Sequence, residues 1–143
     1  MEFFVPGTPA PGGSKKGFYN KNLGRVIMVP DCKRTKPWMT LVSQTVAAAY
    51  DGQPLGGPIK LSMQFMILRP KFHYGSGKNA CQIKPSLAQS WPTVKPDLTK
   101  LERSTEDALT GILWRDDCQV CKKETMKYYV TRNPGVIITV ELI

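Results

Sequence analysis

Ten residues near the middle of the chain leave little freedom in how it can fold. In residues 59–68, Ile59, Leu61, Met63, Phe65 and Ile67 alternate with Lys60, Ser62, Gln64, Met66 and Leu68. Successive side chains of a strand point to opposite faces, so this period of two dictates a strand with one buried face, the other turning apolar toward its end. A buried strand face needs sheet neighbours and a layer to cover it. The cover stands upstream. Trp38, Leu41, Val42, Thr45, Val46, Ala49 and Tyr50 fall on one side of a helix, with Thr35 as a candidate N-cap, Pro37 in the first turn and Asp51-Gly52 at the end.

Further strands are expected at Glu2–Val5, at Arg25–Pro30, over Cys118–Val130 with broken alternation, and over Val136–Ile143, apolar enough to lie inside a sheet. Residues 6–25 are rich in Gly, Pro and Lys without a period and read as a loop. Residues 70–94 read as a long irregular segment. Gly75-Ser76-Gly77-Lys78 within it lacks the spacing of a phosphate-binding P-loop. The order of elements predicts an α/β (α+β) fold: one small domain over residues 1–143, with a mixed sheet of four to five strands and two main helices.

Charge is unevenly spread. Residues 1–96 carry 13 Lys/Arg against 3 Asp/Glu, whereas residues 97–143 carry 7 against 8. A net charge of +9 points to an acidic partner, nucleic acid first. No apolar run is long enough to span a bilayer and the amino terminus lacks the pattern of a signal peptide, so a cytoplasmic protein without membrane contact is expected. Cys118 and Cys121 form a CxxC, but inside a strand-like segment where positions i and i+3 face opposite ways. Cys32 and Cys81 are distant and His73 has no spacing partner, so reduced thiols fit better than a zinc site.

Six of the eleven acids, Asp97, Glu102, Glu106, Asp107, Asp116 and Asp117, fall between positions 97 and 117. Asp97 or Thr99 can cap a helix running to about Thr110, with Gly111 after it; Thr99 and Glu102 fit a capping box. Leu98, Leu101, Thr105, Ala108, Leu109 and Ile112 form its apolar side, and Lys100, Arg103 and Asp107 lie on another. Such a helix of about 12 residues is about 18 Å long. An extended return over residues 112–117 spans up to about 20 Å, which would carry Asp116 or Asp117 back beside Asp97. Converging carboxylates on a basic surface suit Mg²⁺ and phosphodiester chemistry. The same residues equally fit an N-cap, a helix-surface ion pair and a turn.

Lys95-Pro96-Asp97, Asp107-Ala108-Leu109-Thr110-Gly111 and Arg115-Asp116-Asp117-Cys118-Gln119-Val120 resemble the signature KPDxDNLxKxxxDALNG followed by DDxQV of the RusA family of Holliday-junction resolvases, particularly its phage and prophage members. Looser likeness extends to Val5-Pro6-Gly7, the basic Gly-rich loop, Arg69-Pro70-Lys71 and Pro134-Gly135. The resemblance implies a homodimeric endonuclease that cuts four-way DNA junctions by paired symmetrical nicks in recombination and repair, with Mg²⁺ (or Mn²⁺ as a substitute) at an aspartate cluster. Asp97 matches the first aspartate of the motif, Asp107 the helix aspartate and Asp116-Asp117 the later pair, of which Asp117 matches the metal-binding member. Asp97 and Asp117 would hold the metal with Asp116 as a further candidate ligand, and Lys100 or Arg103 would stabilise charge on the phosphate. The second acid of the DxD is Thr99 here and the family lysine is Arg103, which keeps the charge but not the compact ammonium.

Lys15, Lys16, Arg25, Lys33, Arg34, Lys36, Arg69, Lys71 and Lys78 are the expected DNA-backbone contacts. Two alternatives stand beside this reading: a junction-binding protein weakened in catalysis by Thr99, and a broader structure-selective nuclease.

Overall fold

A computed structural model describes residues 1–30 and 32–143. Its six strands are β1 (Glu2–Pro6), β2 (Lys15–Asn20), β3 (Arg25–Pro30), β4 (Ile59–Leu68), β5 (Val120–Val130) and β6 (Gly135–Leu142); its two α-helices are α1 (Thr35–Ala49) and α2 (Leu98–Leu109). Four strands form a mixed sheet in the order β1-β6-β4-β5, antiparallel except for the β4–β5 pair, while β2 and β3 pair only with each other. The fold is thus a small α+β domain, as the sequence pattern implied.

The alternating strand behaves as its pattern dictates. Ile59, Leu61, Met63 and Phe65 are fully buried. Register carries the same face across the sheet: Leu61, Met63 and Phe65 stand opposite Val140, Ile138 and Val136, and Phe3 and Val5 opposite Ile138 and Val136. Both helices cover this face. Trp38, Val42 and Val46 of α1 and Leu101, Ala108 and Leu109 of α2 join one core. Each large side chain so buried contributes about 1.5–3 kcal/mol relative to exposure. A buried hydrogen bond from the Trp38 indole N–H to the Thr105 hydroxyl (3.1 Å) links the helices.

Two local expectations are corrected. Residues 15–20 are not loop but strand β2, whose ribbon with β3 buries neither face fully and so leaves no alternation to read. Thr35 does not cap α1; its hydroxyl donates to the Pro11 carbonyl (2.6 Å) and ties down the segment leading to β2. The four cysteines are free thiols, three of them exposed. Among the described residues no helix is long and apolar enough to cross a membrane.

Candidate active site on the second helix

The leucines of α2 turn into the core and leave a charged stripe outward. Asp97 occupies the N-cap position, but its carboxylate makes no capping bond. Its backbone carbonyl accepts from Lys100 N–H (3.2 Å) and Leu101 N–H (3.1 Å), and its Oδ2 lies 3.2 Å from Lys100 Nζ. The unpaired N–H groups of the first turn favour a negative charge here. Asp97, Lys100, Lys95, Pro96, Arg34, Cys32, Pro11 and Ser14 line a cleft of about 220 Å³. One carboxylate thus shares the cleft with three cations, Arg34, Lys95 and Lys100.

The far wall of the cleft is fixed by backbone. Gly12 N–H donates to the Lys100 carbonyl (2.8 Å), and the Ser104 hydroxyl donates to the Ala10 carbonyl (2.6 Å). A Cβ on Gly12 would stand 2.9 Å from the Ser104 Cβ, so only glycine allows this approach. On the other side, Lys127 Nζ donates to the carbonyls of Val94 (2.8 Å) and Pro96 (2.9 Å), which positions the approach to Asp97.

Asp117 lies at the opposite end. It accepts a short hydrogen bond from the Thr110 hydroxyl, and Trp114 Nε1 reaches the same oxygen at 3.3 Å. Asp97 and Thr110 bracket the 12 residues of α2, about 20 Å of helical rise. The extended return is therefore not formed. Gly111 adopts φ +83°, its N–H donates to the Trp114 carbonyl (2.7 Å), and Leu113 and Trp114 plunge fully into the core. That turn holds Asp117 at the C-terminal end of the helix, away from Asp97.

Asp116 and Gln119 build the platform for Asp117. The Asp116 carboxylate accepts from Cys118 N–H (2.9 Å), which lowers its pKa below the ordinary carboxylate value. Gln119 Oε1 accepts from the N–H groups of Arg115 (2.8 Å) and Asp116 (3.1 Å), while its Nε2 donates to the carbonyls of Leu55 (2.9 Å) and Gly57 (3.1 Å). In the Asp-Asp-x-Gln sequence the first aspartate and the glutamine thus shape the turn, and Asp117 is presented.

Asp107 completes this end. Its side chain reaches the surface, yet crowding by the protein desolvates it and raises its pKa; the like charge of Asp117 adds to the rise, against the pull of Arg103 and Lys123. Glu106 is buried and pairs with Lys123 Nζ at 2.5 Å, and Glu102 accepts from the Thr125 hydroxyl. These two acids seal α2 against β5. The clustered acids therefore divide into Asp97 at one end, Asp107 with Asp117 at the other, and Glu102 and Glu106 beneath. Among the described residues, no three or more of His, Cys, Asp and Glu gather as a metal-binding group.

The chain matches the family model described as Endodeoxyribonuclease RusA over residues 6–141. The chain belongs to the RusA endodeoxyribonuclease family. It is also similar to the Bacillus subtilis (strain 168) protein described as "Uncharacterized protein YqaN", 26% identical over 140 residues that cover 98% of this chain and 94% of that one. The general activity that RusA membership carries is endonucleolytic cleavage of DNA in resolving Holliday junctions.

Of the expected DNA contacts, Lys15, Lys16, Arg25, Lys33, Arg34, Lys36, Lys71 and Lys78 are exposed. Arg69 is turned inward: Nη1 donates to the Leu87 carbonyl (2.8 Å) and lies 3.1 Å from His73 Nδ1, and the guanidinium stacks over Tyr129. It organises the 70–94 segment. Lys95 was absent from the expected contacts although it immediately precedes Pro96-Asp97; Lys123, electrostatically coupled to Asp107, had no sequence signal beyond its charge.

Proposed function

We propose that this RusA-family chain is a Mg²⁺-dependent homodimeric resolvase that nicks four-way junctions in symmetrical pairs. The observation that carries the reading is the α2 stripe, with carboxylates at its ends and Lys100 and Arg103 between them. A DNA strand laid along it meets cations at its phosphates and acids on either side. Asp117 with Asp107 supplies the paired oxygen donors that fit a hard cation keeping most of its waters, and Asp97 supplies a carboxylate beside a phosphate-sized cationic cleft. A bound Mg²⁺ would polarise the phosphodiester and activate water. Lys100 and Arg103 stabilise charge growing on the phosphate, Asp116 and Gln119 keep Asp117 in place, and Lys127 keeps Asp97 in place. A homodimer follows from the substrate, because two opposed nicks on a two-fold junction require two symmetric sites.

The test is incubation of a labelled four-way junction with the protein and Mg²⁺ or Mn²⁺. Paired nicks are expected, with Asp97→Asn and Asp117→Asn each lowering the rate at least about 10³-fold while leaving junction binding intact. Binding without nicking in either metal would sink the enzyme reading and favour the junction-binding alternative, for which exposed Thr99, in the first turn of α2, is the physical reason. Equal cleavage of flaps, duplex ends and junctions at one salt would favour the broader nuclease.

A further inference from the structure

The β2–β3 ribbon stands apart from the main sheet. Its register puts Tyr19 opposite Val26 and Gly17 opposite Met28 on one face, and Phe18 opposite Ile27 on the other. The first face is bare: Tyr19, Val26 and Met28 are 62%, 61% and 57% exposed. A Cβ on Gly17 would lie 3.1 Å from both the Met28 sulfur and Val26 Cγ1, so the glycine lets these two side chains close over it into a flat apolar floor beside the tyrosine ring. Around this floor the charge has one sign. Residues 3–30 contain Lys15, Lys16, Lys21 and Arg25 and no Asp or Glu.

The ribbon's position is set by its two ends. Ser14, just before β2, and Cys32, just after β3, both line the cleft of Asp97. Six residues per strand extend about 20 Å at 3.4 Å each. The apolar floor is therefore held within one ribbon length of the Asp97 cleft.

Resting on the junction-nuclease reading above, we infer that this ribbon is an arm that takes unpaired bases at the branch point of the DNA, stacking one on the Tyr19–Val26–Met28 floor while Lys15, Lys21 and Arg25 hold flanking phosphates. A π face and a thioether floor suit bases of any sequence, which stack without hydrogen-bond readout. The cations favour a polyanion over a second copy of this basic chain as the occupant.

The test places 2-aminopurine at the branch point of a four-way junction and at the same position in a linear duplex, with chelator present so that nothing is cut. The wild-type protein should raise junction fluorescence and leave the duplex unchanged. Tyr19→Ala with Met28→Ala should abolish the rise and weaken junction affinity about ten-fold or more; Tyr19→Trp should restore both. Circular dichroism of each variant reports the intact sheet and helices. No rise with the wild type, or a rise that survives the double alanine change, overturns the arm. So does a shift in sedimenting mass on the double change, since a second copy would then be the occupant. A protein that unstacks the branch but never nicks it leaves the arm standing and fells the nuclease reading; nicking without unstacking does the reverse.

Discussion

Side chains in this protein divide their labour between presenting and supporting, and neighbours in sequence fall on both sides. Asp116 and Asp117 are identical in chemistry, yet one caps a turn and the other accepts from Thr110 and Trp114 at the end of α2. Sequence separates them only through the resemblance; spacing alone treats them as equals. Gln119 has the larger leverage because it holds four backbone groups at once. Gln119→Ala should cost about 1–3 kcal/mol in urea unfolding, and should lower nicking at least about ten-fold with junction affinity kept, because Asp117 loses its footing. Asp107 gives a pH signature. Its raised pKa means that its ionised form opposes folding, fully above the folded pKa and not at all below the ordinary value of 3.8. Asp107→Asn should therefore stabilise the protein at pH 7, and the gain should fade as pH falls toward 3.8, read by urea midpoints across that range.

At the level of elements, the clearest sequence signals came from burial, though the partly exposed β3 and β5 were also legible from their β-branched and apolar residues. β4, α1 and α2 were readable because each has one buried face, and the period of burial is written in the residues. β2 was not, because its side chains stay near the surface on both faces. The path from Gly111 to Asp117 was misread for a different reason: the buried pair Leu113-Trp114 anchors a compact turn, and no local rule reveals that two adjacent apolar residues will bend a chain inward rather than extend it. The 70–94 segment, expected to be irregular, is knotted around Arg69 and the buried His73, which packs on Tyr129 and Phe72. Burial, then Arg69 and Lys84, lower the His73 pKa. Neutral His73 thus stabilises the fold above the ordinary value of 6.5, and that stability is lost as pH falls below it. Hydrogen exchange between residues 71 and 90, corrected for its intrinsic pH dependence, should quicken from pH 7 to pH 5.5, and a His73→Phe variant should show no such change.

The whole molecule is a basic body with one acidic seam, and its affinity for DNA should behave accordingly. With six or more phosphates neutralised, junction binding should weaken by about 10³-fold or more between 50 and 200 mM salt, measured by anisotropy with chelator present. A shallow dependence would place the binding energy elsewhere than in the exposed cations. Charge asymmetry was plain in the sequence, and so was the class of partner it implies; which acids share an end of the helix was not, because that depends on a turn only tertiary packing decides.

The sheet order has a consequence for how such a chain is made. β6 comes latest in sequence among the four strands, yet it lies between β1 and β4. Until it arrives, β1 and β4 have no strand between them to pair with, and α2 has only part of a floor to rest on. A chain emerging from a ribosome therefore carries its aspartates and most of its cations before the strand that completes the sheet. A chain that stops before Gly135 lacks the strand that joins β1 to β4. The sheet is closed by pairings between the first and last strands of the chain, the long-range kind that makes folding slow.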